Sequence, residues 1–239
     1  MNLTVEPSDL SDVLKALDKQ VHITDEPIPK ENNFVWLISG AKGTGKSSLL
    51  LNMLRSYLRK HYNNIFLVSP TAKRDKKFKK LVDELEEDNK YYDALTEQNL
   101  AEIMDRINTY NDGKDKPKNL LILDDVATDL KSSNSKSLLN KTIITCRHMK
   151  TSVIILTQKY NKINPLIRSN ADILSIFRTQ NKKELNTIID DLPVKPDEFE
   201  MVYDYATTPD DDNSNPFLHI SLVGARTRYF KNFDRIHLG

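Results

Sequence analysis

Residues 40–47 constrain the fold of this chain more than any other segment, because they fit the pattern GxxxxGK(S/T) at every fixed position. An apolar run of strand length, FVWLIS, comes directly before them, and the amphipathic segment SLLLNMLRSYLRK follows. The chain has six glycines, and three of them, Gly40, Gly43 and Gly45, lie here. Glycine lets the backbone turn tightly enough for successive N–H groups to point at phosphate oxygens. The sequence therefore predicts a nucleoside triphosphate site between a strand and a helix.

The residues of this phosphate loop have separate roles in the prediction. We expect Lys46 to reach the β- and γ-phosphates and the Ser47 hydroxyl to coordinate Mg²⁺. The N-terminus of the following helix adds the positive end of its dipole. ATP and Mg²⁺ are the expected ligands, and the predicted nucleotide-binding residues are Gly40, Ala41, Lys42, Gly43, Thr44, Gly45, Lys46, Ser47 and Ser48.

Polar side chains follow two further apolar runs. LLILDDV, at 120–126, ends in two carboxylates. Asp124 is expected to hold Mg²⁺ through water, and Asp125 lies where a general base polarises the attacking water. The alternative for Asp125 is an ordinary turn residue at the strand end. TSVIILTQ ends in Gln158, which is either a polar sensor of the γ-phosphate or a glutamine in solvent.

The order of elements predicts an α/β fold. Strands at 34–39, 64–70, 119–125, 151–158 and 171–179 alternate with helical segments, which is typical of a mostly parallel sheet with helices on both faces. The long spacing between Lys46 and Asp124 favours a P-loop NTPase of the additional-strand (ASCE, RecA-like) type. Residues 73–110 are predicted to be helical. FLHISLV alternates like a half-exposed strand, and RTRYFKNF is predicted to pair with it as a C-terminal hairpin.

Three regions follow from this pattern. Residues 1–31 are predicted to form a helical extension and linker, residues 32–190 the ATPase core, and residues 191–239 a C-terminal β extension. Hydrophobic residues make up 38% of the chain, enough for a core, and no apolar run has the roughly 20 residues of a membrane span. The N-terminus lacks the apolar core of a signal peptide, and a single cysteine indicates a reducing compartment. We therefore expect a protein that is neither secreted nor inserted in a membrane.

The charge pattern limits how this chain contacts nucleic acid. The net charge is only +1, so the chain as a whole is not a polybasic binder and any contact depends on local patches or on a ring of subunits. Two segments combine basic and aromatic residues, KRDKKFKK at 73–80 and ARTRYFKNFDR at 225–235. This composition suits contact with the phosphate backbone and stacking on bases. The first segment is equally typical of a solvated helix face.

Arginines near the core strands are candidates for a finger that acts on a neighbouring subunit. Motor ATPases commonly use such an arginine to neutralise charge in the transition state. Arg147 and Arg168 precede the fourth and fifth apolar runs, and Arg178 lies at the end of the fifth. Arg147 is preferred, because a short link to the fourth strand would hold it rigidly, and Arg178 ranks third.

In GAKGTGKSS, LLILDD, CRHMKTSVIILTQ and NPLIRSNADILSIFR, taken in this order, the chain resembles the poxvirus-type virion DNA-packaging ATPases, which belong to the HerA–FtsK group of P-loop motors. The resemblance covers roughly residues 33–190, and the Arg147–His148 pair and Gln158 are its most distinctive positions. It implies phosphate-loop roles for Lys46 and Ser47, metal and catalytic roles for Asp124 and Asp125, a sensor role for Gln158 and a finger role for Arg147. Residues 1–31 and 191–239 depart from the family pattern.

The resemblance implies a homo-oligomeric ring, a pentamer or hexamer, that drives double-stranded DNA into a preformed capsid. A capsid vertex or portal is then a further candidate partner, and the expected location is the host cytoplasm or viral factory, with association to the virion. Two alternatives stay open at this point. One is a related cellular or plasmid translocase or helicase, and the other, less favoured, is a P-loop kinase. The paired aspartates after the third strand argue against a nucleotide-gated assembly factor without hydrolysis.

Overall fold

The computed structural model describes residues 27–29, 33–113, 117–126, 133–211, 213–224 and 226–238. Seven α-helices of five or more residues lie in this part of the chain: α1 (Lys46–Met53), α2 (Lys79–Glu87), α3 (Glu97–Asp112), α4 (Ser133–Thr145), α5 (Pro165–Ser169), α6 (Lys182–Asp191) and α7 (Pro196–Thr207). The strands are β1 (Val35–Ser39), β2 (Asn64–Val68), β3 (Tyr91–Tyr92), β4 (Asn119–Asp124), β5 (Thr151–Thr157), β6 (Ile173–Phe177), β7 (Phe217–Ser221), β8 (Arg228–Lys231) and β9 (Asp234–Ile236). No described helix combines the length and the apolar character needed to span a bilayer.

These strands form one sheet in the order β3-β2-β4-β5-β1-β6-β7-β8-β9. The pairs among β1 to β6 are parallel, and β7, β8 and β9 extend the sheet by antiparallel pairing. Strand β5 lies between β1 and β4, so an additional strand separates the strand before the phosphate loop from the strand that ends in Asp124. The predicted fold class and the C-terminal hairpin of β7 and β8 are confirmed. The boundaries at 31 and 190 stay predictions.

Two apolar layers cover the two faces of the sheet. On one face, α1 and α2 pack on residues such as Trp36, Ile38 and Ile122. On the other face, α3 to α7 pack on residues such as Leu37, Leu121 and Ile155. The central strands β1, β4 and β5 are buried on both faces, which explains their continuous apolar runs. The polar groups at their carboxyl ends are therefore held by a rigid layer.

The prediction that residues 73–110 are helical was wrong in part. This segment contains a short 3₁₀ turn (Ala72–Arg74), helix α2, the two-residue edge strand β3 and helix α3. Strand β3 pairs with the end of β2. The high charge of the residues around β3 hides this strand from the sequence pattern. Helix α1 is continued beyond Met53 by a π-helical turn (Leu54–Leu58) and a last α-helical turn (Arg59–His61). Of the predicted N-terminal helix, residues 1–26 lie outside the described residues.

A buried chain of hydrogen bonds fixes residues 27–29 to the sheet. The Trp36 indole N–H donates to the Ser175 hydroxyl, which lies 2.9 Å from His219 Nδ1, and His219 Nε2 lies 2.9 Å from the Pro27 carbonyl oxygen. The only complete pattern has His219 neutral, accepting at Nδ1 from Ser175 and donating from Nε2 to Pro27. Ile28 beside it is buried in the core. Burial among aromatic rings lowers the pKa of His219 to about 4.

His219 is expected to make the protein less stable as the pH falls from 7 towards 4. In the unfolded chain the imidazole takes up a proton near its ordinary pKa of 6.5, whereas in the folded chain it stays neutral down to about pH 4. The unfolded state therefore binds more protons in this window, which lowers the free energy of unfolding by up to about 3 kcal/mol. Denaturant unfolding of the wild type and of His219→Gln between pH 7 and pH 4.5 gives the free energy of unfolding against pH for each protein. The difference between the two slopes measures this contribution.

Glutamine can accept and donate as the neutral imidazole does, but it does not titrate. The exposed His237, replaced by glutamine, is the matched control and should keep the wild-type slope. A His219→Gln slope equal to that of the wild type would contradict the assignment.

Candidate functional site

Backbone pairing brings the three predicted motifs to one edge of the sheet. Ser39 is in register with Thr157, and Asp124 is in register with Leu156, so β1, β4 and β5 end at the same level. The Gly40 N–H donates to the Thr157 carbonyl at 3.2 Å, and the Asp125 N–H donates to the Leu156 carbonyl at 3.1 Å. The phosphate loop, the paired aspartates and Gln158 therefore start from adjacent backbone positions.

The glycines of the phosphate loop are required by its geometry. Gly43 and Gly45 have φ angles of +84° and +106°, which side chains other than glycine adopt rarely. A Cβ atom at Gly40 would lie 2.6 Å from Thr44 Oγ1 and 2.8 Å from the Cβ of Phe177. Nothing in the described structure lies within 4 Å of a Cβ added at Gly43, so this part of the loop faces open space. The backbone of the loop is therefore tightly turned, with open space beside Gly43.

Lys46 lies inside this loop rather than in solvent. Its ammonium donates to the carbonyl oxygens of Gly40 at 2.7 Å and Ala41 at 3.0 Å, and the residue is buried. Burial lowers the pKa of Lys46, and the carboxylates of Asp125, Asp124 and Glu184 oppose this shift, in that order. The ammonium therefore lies at the centre of an otherwise acidic site.

Asp124 is fixed by a hydroxyl that the sequence analysis did not single out. Ser69, directly after β2, donates to Asp124 Oδ2 at 2.8 Å. Burial raises the pKa of Asp124, and the Ser69 hydrogen bond counteracts part of that rise. Ser69 thus orients one carboxylate oxygen.

Asp125 and Gln158, predicted separately as base and sensor, are in direct contact. The Gln158 amide donates to Asp125 Oδ2. Asp125 has a φ angle of +55°, in the left-handed region where aspartate and asparagine are enriched among non-glycine residues. This turn points the second carboxylate away from the path of β4 and towards the end of β5. The two side chains therefore act from one position at the mouth of the loop.

The residues present fit a nucleotide and a hard divalent cation. Residues 46–48 open α1, and in the described structure no side chain caps this helix, so its first N–H groups are free for an anion. Ser47 and Asp124 supply hydroxyl and carboxylate oxygens, the ligand type that Mg²⁺ prefers together with water and phosphate. No group of three or more His, Cys, Asp or Glu residues converges on a metal position in the described ranges. A cation here would share its coordination with phosphate oxygens.

The three arginine candidates lie in different places. Arg147 precedes β5, at the sheet edge opposite the phosphate loop, and pairs with Asp172. β5 has seven residues, so the two edges are about 20 Å apart. Arg168 pairs with Asp191 at 2.7 Å and also donates to the Ile163 carbonyl, and its side chain is only 11% exposed. Arg178 alone follows a strand end on the loop's edge, where its half-exposed side chain contacts Thr208.

Three residues at the site were missed by the sequence analysis. Ser69 carries a signal of the kind used for Asp124 and Gln158, since it is a polar residue at the carboxyl end of a buried strand. Phe177 packs against Gly40 and Gly45, and Glu184 accepts hydrogen bonds from Ser39 and Tyr160. The sequence offers no signal for these two, because an apolar strand residue and an acid in an amphipathic helix are ordinary.

Solved structures with a similar fold include two viral packaging enzymes. The DNA-packaging ATPase B204 from Sulfolobus turreted icosahedral virus is 18% identical, with a TM-score of 0.63 over 86% of this chain and 100% of that chain. The genome-packaging NTPase B204 from Sulfolobus turreted icosahedral virus 2, in complex with AMPPCP, is 17% identical, with a TM-score of 0.60 over 84% of this chain and 98% of that chain. At these identities the similarity shows a shared fold.

The family comparison is more specific. None of the curated proteins compared with the sequence matches it. The family described as Poxvirus A32 protein matches residues 25–205, which include the phosphate loop, the paired aspartates, Gln158 and all three arginine candidates. This match covers well over half of the chain. The chain therefore belongs to the poxvirus A32 protein family and is a P-loop ATPase.

Proposed function

We propose that this protein is a translocase of double-stranded DNA that uses ATP and Mg²⁺ to package a viral genome into a preformed capsid. The observation that carries the proposal is the convergence of the phosphate loop, Asp124, Asp125 and Gln158 at one sheet edge in a chain of this family. The structural relatives are described as DNA- or genome-packaging enzymes, which supports the same cargo. The proposal places the activity in the host cytoplasm or viral factory, with a capsid vertex or portal as partner.

Each side chain of the site is assigned a separate role in ATP hydrolysis. Bound Mg²⁺ would neutralise charge on the transferred phosphoryl group. Lys46 and the N–H groups of α1 would hold the phosphates, and Ser69 keeps Asp124 oriented towards the metal position. Asp125 would accept the proton of the attacking water while the Gln158 amide holds its other side. Each of these steps uses a side chain that the sheet edge already fixes.

The basic segment at 73–80 is the best-placed contact for DNA. The side chains of Lys76, Lys79 and Lys80 are exposed, and Lys77 lies 3.4 Å from the Ser48 hydroxyl at the start of α1. Lys73 is engaged with Glu86. Lysines of this kind neutralise phosphates without reading sequence. A contact beside α1 would link DNA binding to the nucleotide site.

Most aromatic rings of the two basic segments are not available to stack on bases, although the composition of these segments suits stacking. Phe78, Tyr229 and Phe230 are all buried, because they complete the hydrophobic layers of the sheet. Phe233 is partly buried and packs against Phe217 and His219. These segments therefore remain candidates for contact with the phosphates of DNA.

ATP hydrolysis with and without DNA tests the proposal. We expect double-stranded DNA to stimulate turnover, with no phosphorylated acceptor formed, and sedimentation with an ATP analogue and DNA to show a ring. Stimulation should weaken as salt rises, since exposed lysine contacts are screened. A monomer whose turnover ignores DNA would contradict the proposal, and a phosphorylated small molecule would favour the kinase alternative.

Arg147 is expected to act on the site of a neighbouring subunit. Its own phosphate loop lies at the far edge of the sheet, beyond the length of an arginine side chain, whereas its side chain is 61% exposed. Subunits with Arg147→Ala and subunits with Lys46→Ala should each be inactive alone. Mixed in one ring, they should regain part of the ATPase activity, because an intact loop then meets an intact arginine.

The same mixing experiment with Arg178→Ala and Lys46→Ala subunits tests Arg178, the candidate at the sheet edge that carries the phosphate loop. Absence of any recovery with Arg147→Ala, together with recovery with Arg178→Ala, would transfer the finger role to Arg178.

A further inference from the structure

Glu184 is a buried acid that no predicted role explains. It lies in the first turn of α6 and is 5% exposed. A single oxygen, Oε1, accepts from the Ser39 hydroxyl at 3.2 Å and from the Tyr160 N–H at 2.6 Å. Burying a carboxylate costs free energy unless hydrogen bonds and nearby charge compensate. Lys46 supplies part of that compensation through its positive charge.

The two donors belong to the two segments that carry the chemistry. Ser39 directly precedes Gly40, the first residue of the phosphate loop. Tyr160 comes two residues after Gln158, in the short turn (Tyr160–Lys162) that follows β5. Glu184 Oε1 therefore joins the start of the phosphate loop to the loop that bears Gln158.

The position of Glu184 is itself well fixed. Asn181 caps α6, and its side-chain oxygen accepts from the N–H groups of Lys183 and Glu184. At the other end of α6, Asp191 pairs with Arg168, whose guanidinium lies 5.4 Å from the centre of the Tyr160 ring. Helix α6 thus holds the turn after β5 at both ends.

We propose that Glu184 is a positioning residue for ATP hydrolysis, which keeps Gln158 and Asp125 in register with the phosphate loop. The contact acts through one hydrogen-bond acceptor rather than through contact with the reacting atoms. Loss of that acceptor frees the turn after β5, and Gln158 then no longer holds Asp125 in place. The inference rests on ATP hydrolysis at this site and is independent of DNA as the cargo.

Two substitutions separate the acceptor from mere filling of space. Glu184→Gln retains an amide oxygen that can accept both hydrogen bonds, whereas Glu184→Met has a similar volume and no acceptor of comparable strength. We expect Glu184→Met to lower kcat by about 10- to 100-fold, the size of effect that a small misplacement produces. The KM for ATP should change little, because the phosphate loop stays intact, and Glu184→Gln should keep most of kcat.

A second test uses Gln158 as the reporter. If Glu184 acts through Gln158, the double variant Glu184→Met/Gln158→Ala should be no slower than Gln158→Ala alone. Ser39→Ala, which removes one donor, should reproduce part of the Glu184→Met effect. Multiplied effects in the double variant, or equal losses for Glu184→Gln and Glu184→Met, would overturn the proposal.

All of these rates are measured without DNA, with binding of a fluorescent ATP analogue as the check on folding. A wild type that hydrolyses ATP but ignores DNA would contradict the packaging proposal and leave this test intact. A Glu184→Met variant that binds the analogue and turns over ATP at the wild-type rate would overturn the role of Glu184 alone.

Discussion

Replacing Lys46 with alanine is expected to abolish ATP turnover. The ammonium lies at the centre of the phosphate loop, within hydrogen-bond distance of the Gly40 and Ala41 carbonyls, and no other described lysine or arginine shares that position. Removing one preorganised donor from such a site typically costs about 10²–10³ in kcat. Here the same group also binds the ground-state phosphates, so affinity falls as well. Steady-state hydrolysis and binding of a fluorescent ATP analogue measure the two losses.

The matched control for this variant is Lys60→Ala. Lys60 is exposed in the last turn that continues α1, away from the loop, so its loss should leave turnover unchanged. Wild-type turnover by Lys46→Ala would contradict the assignment of the nucleotide site.

The second large effect is expected for Asp125→Asn, which should bind ATP and hydrolyse it slowly. Asparagine tolerates the left-handed backbone at this position and can still accept the hydrogen bond from Gln158. The substitution therefore removes the charge and the basicity while it preserves the geometry. Loss of a general base costs about 10²–10⁴ in rate. Single-turnover hydrolysis and analogue binding, measured side by side, give the separation between chemistry and affinity.

Asp105→Asn is the control for the change from acid to amide, because Asp105 lies exposed on α3. Loss of ATP binding in Asp125→Asn would instead give Asp125 a metal-binding or structural role. An unchanged hydrolysis rate would support the alternative that Asp125 is an ordinary turn residue.

The central part of the fold followed from the sequence because its signals are local. Strand, glycine-rich loop and helix are adjacent in the chain, and strands buried on both faces are continuous apolar runs. The spacing of the motifs favoured the additional-strand type of P-loop fold, and the observed strand order, with β5 between β1 and β4, agrees with that type. The edge strand β3 was not anticipated, because two tyrosines in a charged segment give no recognisable pattern.

The site was predictable where function depends on the end of a strand. Asp124, Asp125 and Gln158 all continue apolar runs, and the same rule applied to β2 would have identified Ser69. The structure also supplies a reason for an aspartate rather than a glutamate at position 125. The left-handed backbone there favours aspartate among the acidic residues.

Features that depend on contacts between distant segments were out of reach. Glu184 meets Ser39 across 145 positions of the chain, and nothing in the helix around it marks the contact. The sequence ranked Arg147 first among the arginine candidates, but it could not show that Arg168 is held by Asp191 or that Arg147 lies at the opposite edge of the sheet. Burial of Tyr229 and Phe230 likewise follows only from the packing of β8.

Displacement of a triplex-forming strand from double-stranded DNA tests the central claim most directly. A translocase that moves along the duplex strips the third strand as it passes, and this requires neither a capsid nor a portal. We expect displacement by the wild type that depends on ATP and Mg²⁺, and no displacement by Lys46→Ala or Asp125→Asn. ATP hydrolysis by the wild type without any displacement would contradict the claim that the chain couples its ATPase to movement along DNA.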